Sequence, residues 1–219
     1  DLSIPKTWLK SCQSLHTENC CKPRASLTTL RFIDCMTRCI VSAGRQEYVT
    51  LSYTWGKLLE RDYSKTADSK AFATRLPERL PQTIEHSIEV TKELRFRYLW
   101  VDRYCINQND PEDVHTQICQ MDLIFSNSAL TIVAAAGTNP TYGLPGINHH
   151  SRISHASISV KVGRHVFVSK PRNPRWYINK SAWMSRGWTY QEALLSNRRL
   201  IFTEQQLYFE CRRASCKES

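Results

Sequence analysis

The stretch YLWVDRYCINQNDPEDVHTQICQMDLIFSNSALTIVAAAG, residues 98–137, decides the fold of this chain. It begins with an apolar run at residues 98–101, and a polar loop follows that run. Apolar residues then recur in steps of four, three and four, the spacing of one helix face. They are Val114, Ile118, Met121 and Phe125. A second apolar run at residues 130–136 completes a strand–helix–strand unit, and such units are right-handed with parallel strands.

The segment before this unit extends the alternation of strands and helices. Residues 48–53 form the strongest strand pattern in the first half, and Pro81 fits the first turn of a helix that follows. Between them, residues 57–75 are polar and weakly periodic, which is typical of a surface excursion. Strands that alternate with helices predict an α/β fold with a mostly parallel sheet and helices on both faces.

Shorter β patterns flank this core. We predict a strand in residues 28–42, hairpins at residues 157–169 and 199–210, and a short helix at residues 189–196. The predicted organisation is a single domain, residues 1–219, with three parts: an N-terminal helix and strand (1–47), an α/β core (48–137) and a C-terminal β-rich subdomain (138–219) packed on the core.

Composition and charge limit the classes of function. The net charge of +10 comes from 30 Lys and Arg against 20 Asp and Glu, but the basic residues are scattered and form no nucleic-acid motif. Nucleic acid is therefore not favoured as a partner, and a phosphate-bearing small molecule suits the charge equally well. The chain has no run of 18 apolar residues, so we expect no membrane partner.

Cysteine usage indicates a cellular compartment. Nine cysteines occur with no secretory signal at the start of the chain, and several lie in apolar or periodic segments, where reduced cysteine behaves as a small core residue. This pattern predicts free thiols and a cytoplasmic protein.

Three potential metal ligands lie near the start of the chain. Cys12, His16 and Cys20 are spaced four residues apart, which would place them on one helix face. They predict either a zinc site, with Cys21 as the fourth ligand, or an amphipathic helix docked by its apolar face. Structural zinc ligands usually come as two close pairs separated by a loop, so we favour the docked helix and expect no metal site.

Polar and aromatic side chains gather where two of the predicted strands end. Ligands of open α/β sheets bind at the carboxyl ends of the strands, so these residues predict a binding site. After the first strand they are Tyr53, Trp55 and Gly56, and after the second they are Asp102, Cys105, Gln108 and Glu112.

Three motifs in this order resemble the fungal heterokaryon-incompatibility (HET) domain. They are YVTLSYTWG at residues 48–56, the segment at residues 80–137, and SRGWTYQEALLSNRRLIFTEQQLYFEC at residues 185–211. The residues that match the second family motif are Tyr98, Leu99, Trp100, Asp102, Cys105, Ile106, Gln108, Asp110 and Glu112. Those that match the third are Arg186, Gly187, Trp188, Thr189, Gln191 and Glu192. Two departures, Arg103-Tyr104 and Asn107, are minor.

The resemblance implies a role in fungal non-self recognition, in which the domain triggers regulated cell death. HET domains are also distantly similar to TIR domains, which implies a flavodoxin-like sheet and hydrolysis of the nicotinamide–ribose bond of NAD(P), a substrate rather than a tightly bound cofactor. The alternative is a non-enzymatic signalling or assembly module, because fold similarity does not establish chemistry. In both cases we expect self-association on activation and regulatory regions or proteins outside this domain.

A TIR-like reaction needs a carboxylate beside the ribose, because its transition state resembles an oxocarbenium ion. Glu112 matches the place of the TIR glutamate, although an acidic residue here also suits an ordinary helix start. Asp102 and Glu192 are the other catalytic candidates. We expect Glu112 and Glu192 to face one another across a shared cleft.

Arg186 and Trp188 complete the predicted nucleotide-binding set, by pairing with a phosphate and stacking on a base. Alternatively, Arg186 and Glu192 form a buried ion pair that closes the C-terminal part against the sheet. Cys105 suggests a nucleophile, but no histidine stands at a fixed spacing from it, so a cysteine hydrolase is not favoured.

Overall fold

The computed structural model describes residues 2–21, 27, 29–56, 74–153, 159–169 and 172–218, and only the backbone of Trp188 and Tyr190. The predicted surface excursion at residues 57–75 lies outside the described residues, apart from its last two positions.

Helices and strands alternate through the described part of the chain. The helices are α1 (Ser3–Leu15), α2 (Thr17–Cys20), α3 (Gln82–Glu93), α4 (Asp102–Cys105), α5 (Pro111–Cys119), α6 (Met121–Asn127), α7 (Pro174–Lys180) and α8 (Gly187–Leu195). The strands are β1 (Arg31–Asp34), β2 (Cys39–Ser42), β3 (Tyr48–Ser52), β4 (Tyr98–Trp100), β5 (Leu130–Ala134), β6 (Ser159–Val162), β7 (His165–Val168), β8 (Arg198–Phe202), β9 (Leu207–Cys211) and β10 (Ser215–Lys217).

Eight of these strands form one sheet in the order β10-β9-β8-β5-β3-β4-β1-β2. Its four central strands, β8, β5, β3 and β4, are mutually parallel, and the pairs at both edges are antiparallel. The predicted α/β class with a parallel centre is therefore confirmed. The flavodoxin-like and TIR-like details of the fold stay a prediction.

The two innermost strands of the sheet are buried along their whole length, including their threonine and serine residues. Every residue of β3 and β5 is buried. Successive residues of a strand point to opposite faces, so both faces of the sheet are covered here. Along β5, Ile132 belongs to the large core cluster and Val133 to a smaller cluster that contains Trp183.

The predicted strand at residues 28–42 is a hairpin, β1–β2, rather than one strand. The chain reverses in a tight turn at residues 35–38, where the Arg38 N–H donates to the Asp34 carbonyl at 2.8 Å. Arg38 adopts a positive φ of 58°, and an Asp34 carboxylate oxygen accepts from the Met36 N–H at 3.0 Å. Aspartate favours such turns because its side chain bonds to the backbone two residues on.

The predicted helix after residue 110 is two helices. At Gln120 the φ and ψ angles are −105° and 6°, and its N–H donates to the Gln117 carbonyl, three residues back. This local tightening ends α5 and redirects α6. The C-terminal hairpin of β8 and β9 is confirmed, but β10 was not predicted, and β8 also joins the parallel strand β5.

The predicted three-part organisation stays a prediction, but strands from all three parts share one sheet: β1 and β2 lie at one edge, and β8, β9 and β10 at the other. All nine cysteines are among the described residues and are free thiols. None of the helices in the described ranges has the length and apolarity needed to cross a membrane.

Candidate functional site

A cleft of about 270 Å³ lies beyond the carboxyl ends of β3 and β4. It is bordered by polar side chains from the strand ends and from α8, and by apolar side chains from α5 and α6. The residues that line it are Trp55, Asp102, Ile106, Gln108, Val114, Ile118, Met121, Arg186 and Glu192. The location agrees with the rule that open α/β sheets bind ligands where their parallel strands end.

Asp102 starts the short helix α4 directly after β4, and it is half-buried. Its carboxylate accepts hydrogen bonds from the Trp55 indole Nε1 at 2.8 Å and from the Arg103 N–H at 2.7 Å. Gln108 Nε2 donates to the Asp102 carbonyl at 3.1 Å. The strand end, the indole and the helix start therefore fix this carboxylate in one orientation.

Glu192 enters the same cleft from α8, and only 6% of its surface is exposed. The Ser52 hydroxyl, at the end of β3, donates a hydrogen bond to its carboxylate. Ser52 Oγ in turn accepts from the Trp183 Nε1 at 2.6 Å. A buried chain of polar contacts therefore holds Glu192 against the sheet.

Both carboxyl groups hold their protons more tightly than usual. Burial raises the pKa of Asp102 to about 6, and hydrogen bonds from the Arg103 N–H and Trp55 oppose the rise. Burial raises the pKa of Glu192 to about 7; the Ser52 hydrogen bond opposes that rise, and the charge of Asp102 adds to it. Pairs of carboxyl groups with perturbed pKa values in a cleft are typical of acid–base sites.

Cationic and aromatic groups border the two carboxyl groups. The Arg103 guanidinium lies 5.3 Å from the centre of the Trp55 ring, within cation–π range. Arg186 lines the cleft, and its Nη1 donates to the Tyr53 carbonyl. Arg186 lowers the pKa of both Asp102 and Glu192 through its charge. The alternative of a direct Arg186–Glu192 ion pair is absent among the contacts of the described residues.

Only some of the predicted binding residues line the cleft. Trp55, Gln108 and Arg186 line the cleft. Tyr53 is only 3% exposed, and its ring belongs to the core. Gly56 makes a turn with φ of 73°, and an added Cβ there would lie 3.0 Å from the Asn139 Cβ, so it packs against a neighbouring loop. The side chain of Trp188 lies outside the described residues.

Cys105, the last residue of α4, is fully buried and does not line the cleft. Its Sγ accepts from the Val101 N–H at 3.4 Å, and burial raises the pKa of its thiol to about 12. A thiol that stays protonated and is sealed from solvent cannot act as a nucleophile. Its position is that of a small core residue.

The structure places Glu112 outside the cleft, so the expectation that it faces Glu192 there is corrected. Glu112 is exposed in the first turn of α5. Its neighbour Asp113 points inward instead, forming an ion pair with Arg31 and accepting from the Asn107 N–H at 2.7 Å. Asp110 caps the helix by accepting from the Glu112 N–H at 3.0 Å. The acidic helix start is therefore used for capping and for fixing the loop.

Two residues of the site were not predicted from the sequence. Ser52 lies in the first motif that carries the family resemblance and Trp183 lies two residues before the third, but nothing in their local pattern indicates that Trp183 contacts Ser52 or that Ser52 contacts Glu192. The contact joins residues 140 positions apart. Three of the apolar residues that predict the helix also line the cleft and form its apolar wall. They are Val114, Ile118 and Met121.

Comparison with known proteins identifies the family. The family model for heterokaryon incompatibility protein (HET) matches residues 48–192. Heterokaryon incompatibility protein 6, OR allele, of Neurospora crassa is 31% identical over 96 residues, which cover 39% of this chain but only 14% of that protein. No solved structure matches this chain. Because the family model matches more than half of its residues, the chain belongs to the HET family.

Proposed function

We propose that this HET domain is an effector of fungal non-self recognition and that it acts by hydrolysing the nicotinamide–ribose bond of NAD(P). The observation that supports this most directly is the convergence of Asp102 and Glu192 on one cleft. The relative in Neurospora crassa carries heterokaryon incompatibility in its name, which supports the biological role. The hydrolysis is inferred from the chemistry of the cleft.

The two carboxyl groups suit the bond that breaks. Departure of nicotinamide leaves positive charge on the ribose, and a carboxylate beside the ribose stabilises that charge. Asp102, with the lower pKa of the two, is the carboxylate we assign to this role. Glu192 then accepts a proton from the attacking water. The products are nicotinamide, ADP-ribose and a proton, so no other reactant is required.

The walls of the cleft suit the nicotinamide riboside end of the substrate. Its volume of about 270 Å³ is at the small end of ligand pockets, too small to enclose a dinucleotide. The cleft is lined by the apolar side chains of Ile118 and Met121 and by the polar side chains of Asp102 and Arg186. We therefore place the nicotinamide ring against the apolar wall, with the phosphates directed towards solvent near Arg186.

The test measures nicotinamide and ADP-ribose released from NAD by the purified protein. We expect Glu192→Gln and Asp102→Asn each to lower the rate by about 100-fold or more, the loss typical for a transition-state contact. Glu112→Gln is the matched control, because Glu112 is exposed and outside the cleft. Its rate should stay within about twofold of the unmodified protein. Hydrolysis that survives both cleft substitutions, or that depends on Glu112 alone, would overturn the proposal.

A second candidate function is a non-enzymatic assembly module, and one observation favours it. All eight residues of the hairpin β6–β7 are exposed, and they include five large apolar side chains. These are Val160, Val162, Val166, Phe167 and Val168, each 53–61% exposed. Exposed apolar strands of this kind are typical of interaction sites, and here we assign them to contact with a second copy of the chain.

Sedimentation velocity distinguishes this candidate. If the hairpin drives assembly, Phe167→Lys should convert a concentration-dependent oligomer into a monomer. Met36→Lys is the control, since Met36 is 69% exposed in the separate turn between β1 and β2. A protein that is monomeric at every concentration would contradict the assembly function. Cell killing that persists in Glu192→Gln but is lost in Phe167→Lys would favour it over hydrolysis.

A further inference from the structure

A second cluster of reactive side chains lies away from the cleft, beside β9. It consists of Cys12, His16, Cys20 and Cys211, whose ligand atoms all lie within 4.8 Å of one another. Cys12 and Cys20 are 2% and 1% exposed, and the other two residues are half-buried. The Cys211 Sγ and the His16 Nδ1 are 3.4 Å apart. Three sulfurs and one imidazole therefore converge on one point that is nearly closed to solvent.

The local structure brings the first three residues together. Cys12 lies in the last turns of α1, and the His16 N–H donates to the Cys12 carbonyl at 3.1 Å. The chain then continues into α2, where the Cys20 N–H donates to the His16 carbonyl at 2.9 Å. Two consecutive helical spacings of four residues place the three side chains side by side. The fourth, Cys211, ends β9 and is 195 positions from His16.

We propose that this cluster binds one Zn²⁺ ion through the Cys12, Cys20 and Cys211 thiolates and one His16 ring nitrogen. Structural zinc is tetrahedral, with four nitrogen and sulfur ligands at about 2.0–2.3 Å, so its ligand atoms lie roughly 3.4–3.8 Å apart. The observed spread is close to that value and needs only side-chain adjustment. A set of three cysteines and one histidine, with no open position, is the type found in structural zinc sites.

Two N–H donors contact the sulfur atoms of the cluster. The Ala214 N–H, in the turn between β9 and β10, donates to the Cys211 Sγ at 3.3 Å. The Arg198 Nε donates to the Cys12 Sγ at 3.2 Å. Hydrogen bonds of this kind orient ligands and tune a bound metal ion.

Arg198 gives an independent reason to expect negative charge here. It is only 5% exposed, and its partners are the Cys12 Sγ, the Cys21 Sγ at 2.9 Å and the Ala129 carbonyl at 3.2 Å. Within the described ranges no carboxylate pairs with it. A buried guanidinium needs a compensating anion. Three thiolates around one Zn²⁺ leave a single negative charge, which Arg198 would balance.

The structure replaces one residue of the zinc site considered from the sequence. Cys21 is exposed, and its sulfur contacts Arg198 rather than the cluster, whereas Cys211 takes the fourth position. The spacing rule of two close ligand pairs does not describe this cluster, because its fourth member, Cys211, comes from the other end of the chain. All four residues also lie outside residues 48–192, the part matched by the family model. The site would fasten α1 and α2 to the sheet through β9.

Metal analysis of the protein purified without added chelator tests the assignment. We expect about one zinc per chain, and after exchange with Co²⁺ we expect the intense d–d and sulfur-to-cobalt absorption bands of a tetrahedral thiolate site. Cys20→Ser and Cys211→Ser should each weaken zinc retention about tenfold or more. Cys21→Ser is the matched control, adjacent to a ligand in sequence but outside the cluster, and it should retain the metal.

Three results would overturn the zinc site. One is a reduced, folded chain that takes up neither Zn²⁺ nor Co²⁺. Another is equal loss of metal in Cys21→Ser and Cys211→Ser. The third is a disulfide between two of the cluster cysteines, detected by mass spectrometry after alkylation without reductant. If the ligand variants do not fold, the Co²⁺ spectrum of the unmodified chain and the fall in its melting temperature with a zinc chelator decide the question.

Discussion

The hydroxyl of Ser52, at the end of β3, donates a hydrogen bond to the carboxylate of Glu192 in α8. The two residues are 140 positions apart in sequence, and Ser52 is only 1% exposed. The Trp183 indole donates to the same serine oxygen at 2.6 Å. Through this contact the C-terminal part of the domain places a carboxyl group at the end of a central parallel strand.

Replacing Ser52 with alanine should therefore lower stability and change the acidity of the site. The buried Trp183 indole and the Glu192 carboxylate would each lose a partner, and we expect a loss of about 1–3 kcal/mol in the free energy of unfolding. Because the serine hydrogen bond lowers the pKa of Glu192, that pKa should rise further. The rising limb of NAD hydrolysis should move to higher pH, as measured by a pH–rate profile.

Ser87→Ala is the matched control for this change. Ser87 is fully buried in α3, and its hydroxyl donates to the Thr83 carbonyl at 2.6 Å, within its own helix and away from the cleft. Its loss should cost about 1 kcal/mol or less and leave the pH–rate profile unchanged. Identical profiles for Ser52→Ala and the unmodified protein would contradict the positioning role of Ser52.

The raised pKa of Glu192 predicts how stability changes with pH. In the unfolded chain this carboxyl titrates near its ordinary pKa of 4.5, and in the folded protein near 7. Between these values the folded state binds more protons than the unfolded state. The contribution of Glu192 to the free energy of unfolding is therefore fully present below about pH 4.5 and is lost as the pH rises through 7. Urea unfolding at pH 5 and pH 8 measures the fall in the free energy of unfolding between these two values. That fall should be smaller in Glu192→Gln than in the unmodified protein, by about 1–3 kcal/mol.

The two proteins differ at one titrating group, and Asp102, whose charge adds to the rise in the Glu192 pKa, is common to both. Glu112→Gln provides a control of the same chemistry on an exposed side chain, and it should keep the full dependence of the unmodified protein. An equal fall in all three proteins would show that Glu192 is not the group that titrates.

Asp113 and Glu112 are neighbours in α5, and loss of charge should lower stability much more at Asp113 than at Glu112. Asp113 pairs with Arg31 and accepts the Asn107 N–H, whereas Glu112 is exposed. Asp113→Asn should lower the free energy of unfolding by about 2 kcal/mol, since it removes the carboxylate that forms the ion pair with Arg31 and accepts the Asn107 N–H. Glu112→Gln should change it by less than about 0.5 kcal/mol. Chemical denaturation measures both, and equal effects would contradict the assigned contacts.

Cys105 should be dispensable for chemistry. Its thiol is fully buried, and burial raises its pKa to about 12, so it is protonated at neutral pH. We expect Cys105→Ala to keep kcat/KM for NAD within about twofold and to cost about 1 kcal/mol of stability through the small cavity it creates. A loss of more than about tenfold in kcat/KM, with an unchanged circular dichroism spectrum, would restore the cysteine to the mechanism.

Much of the architecture could be predicted because the apolar runs in the sequence coincide with the buried central strands. The runs that form β3, β4 and β5 can be recognised from the local sequence alone. Their parallel direction follows from the helices that connect them. Asp102, Gln108 and Glu192 could be nominated because their motifs and their positions at element ends are visible in the sequence.

Direction of side chains and long-range partners could not be predicted in the same way. Glu112 and Asp113 have nearly the same local pattern, and only the position of Arg31 decides which of them turns inward. In the same way, the sequence points to Cys21 as the partner of Cys12, His16 and Cys20, whereas the structure places Cys211 beside them, because a partner at the far end of the chain leaves no spacing signal. The break at Gln120 was also missed, since an apolar row continues across it.

The order of strands in the sheet has a practical consequence for protein production. Strand β5 pairs with β8, and β4 pairs with β1, yet both partners lie outside residues 48–192. A fragment trimmed to those limits would expose the unpaired backbone edges of β4 and β5, which are templates for aggregation. The sheet therefore extends beyond residues 48–192 on both sides, and expression boundaries should include the strands from β1 to β9.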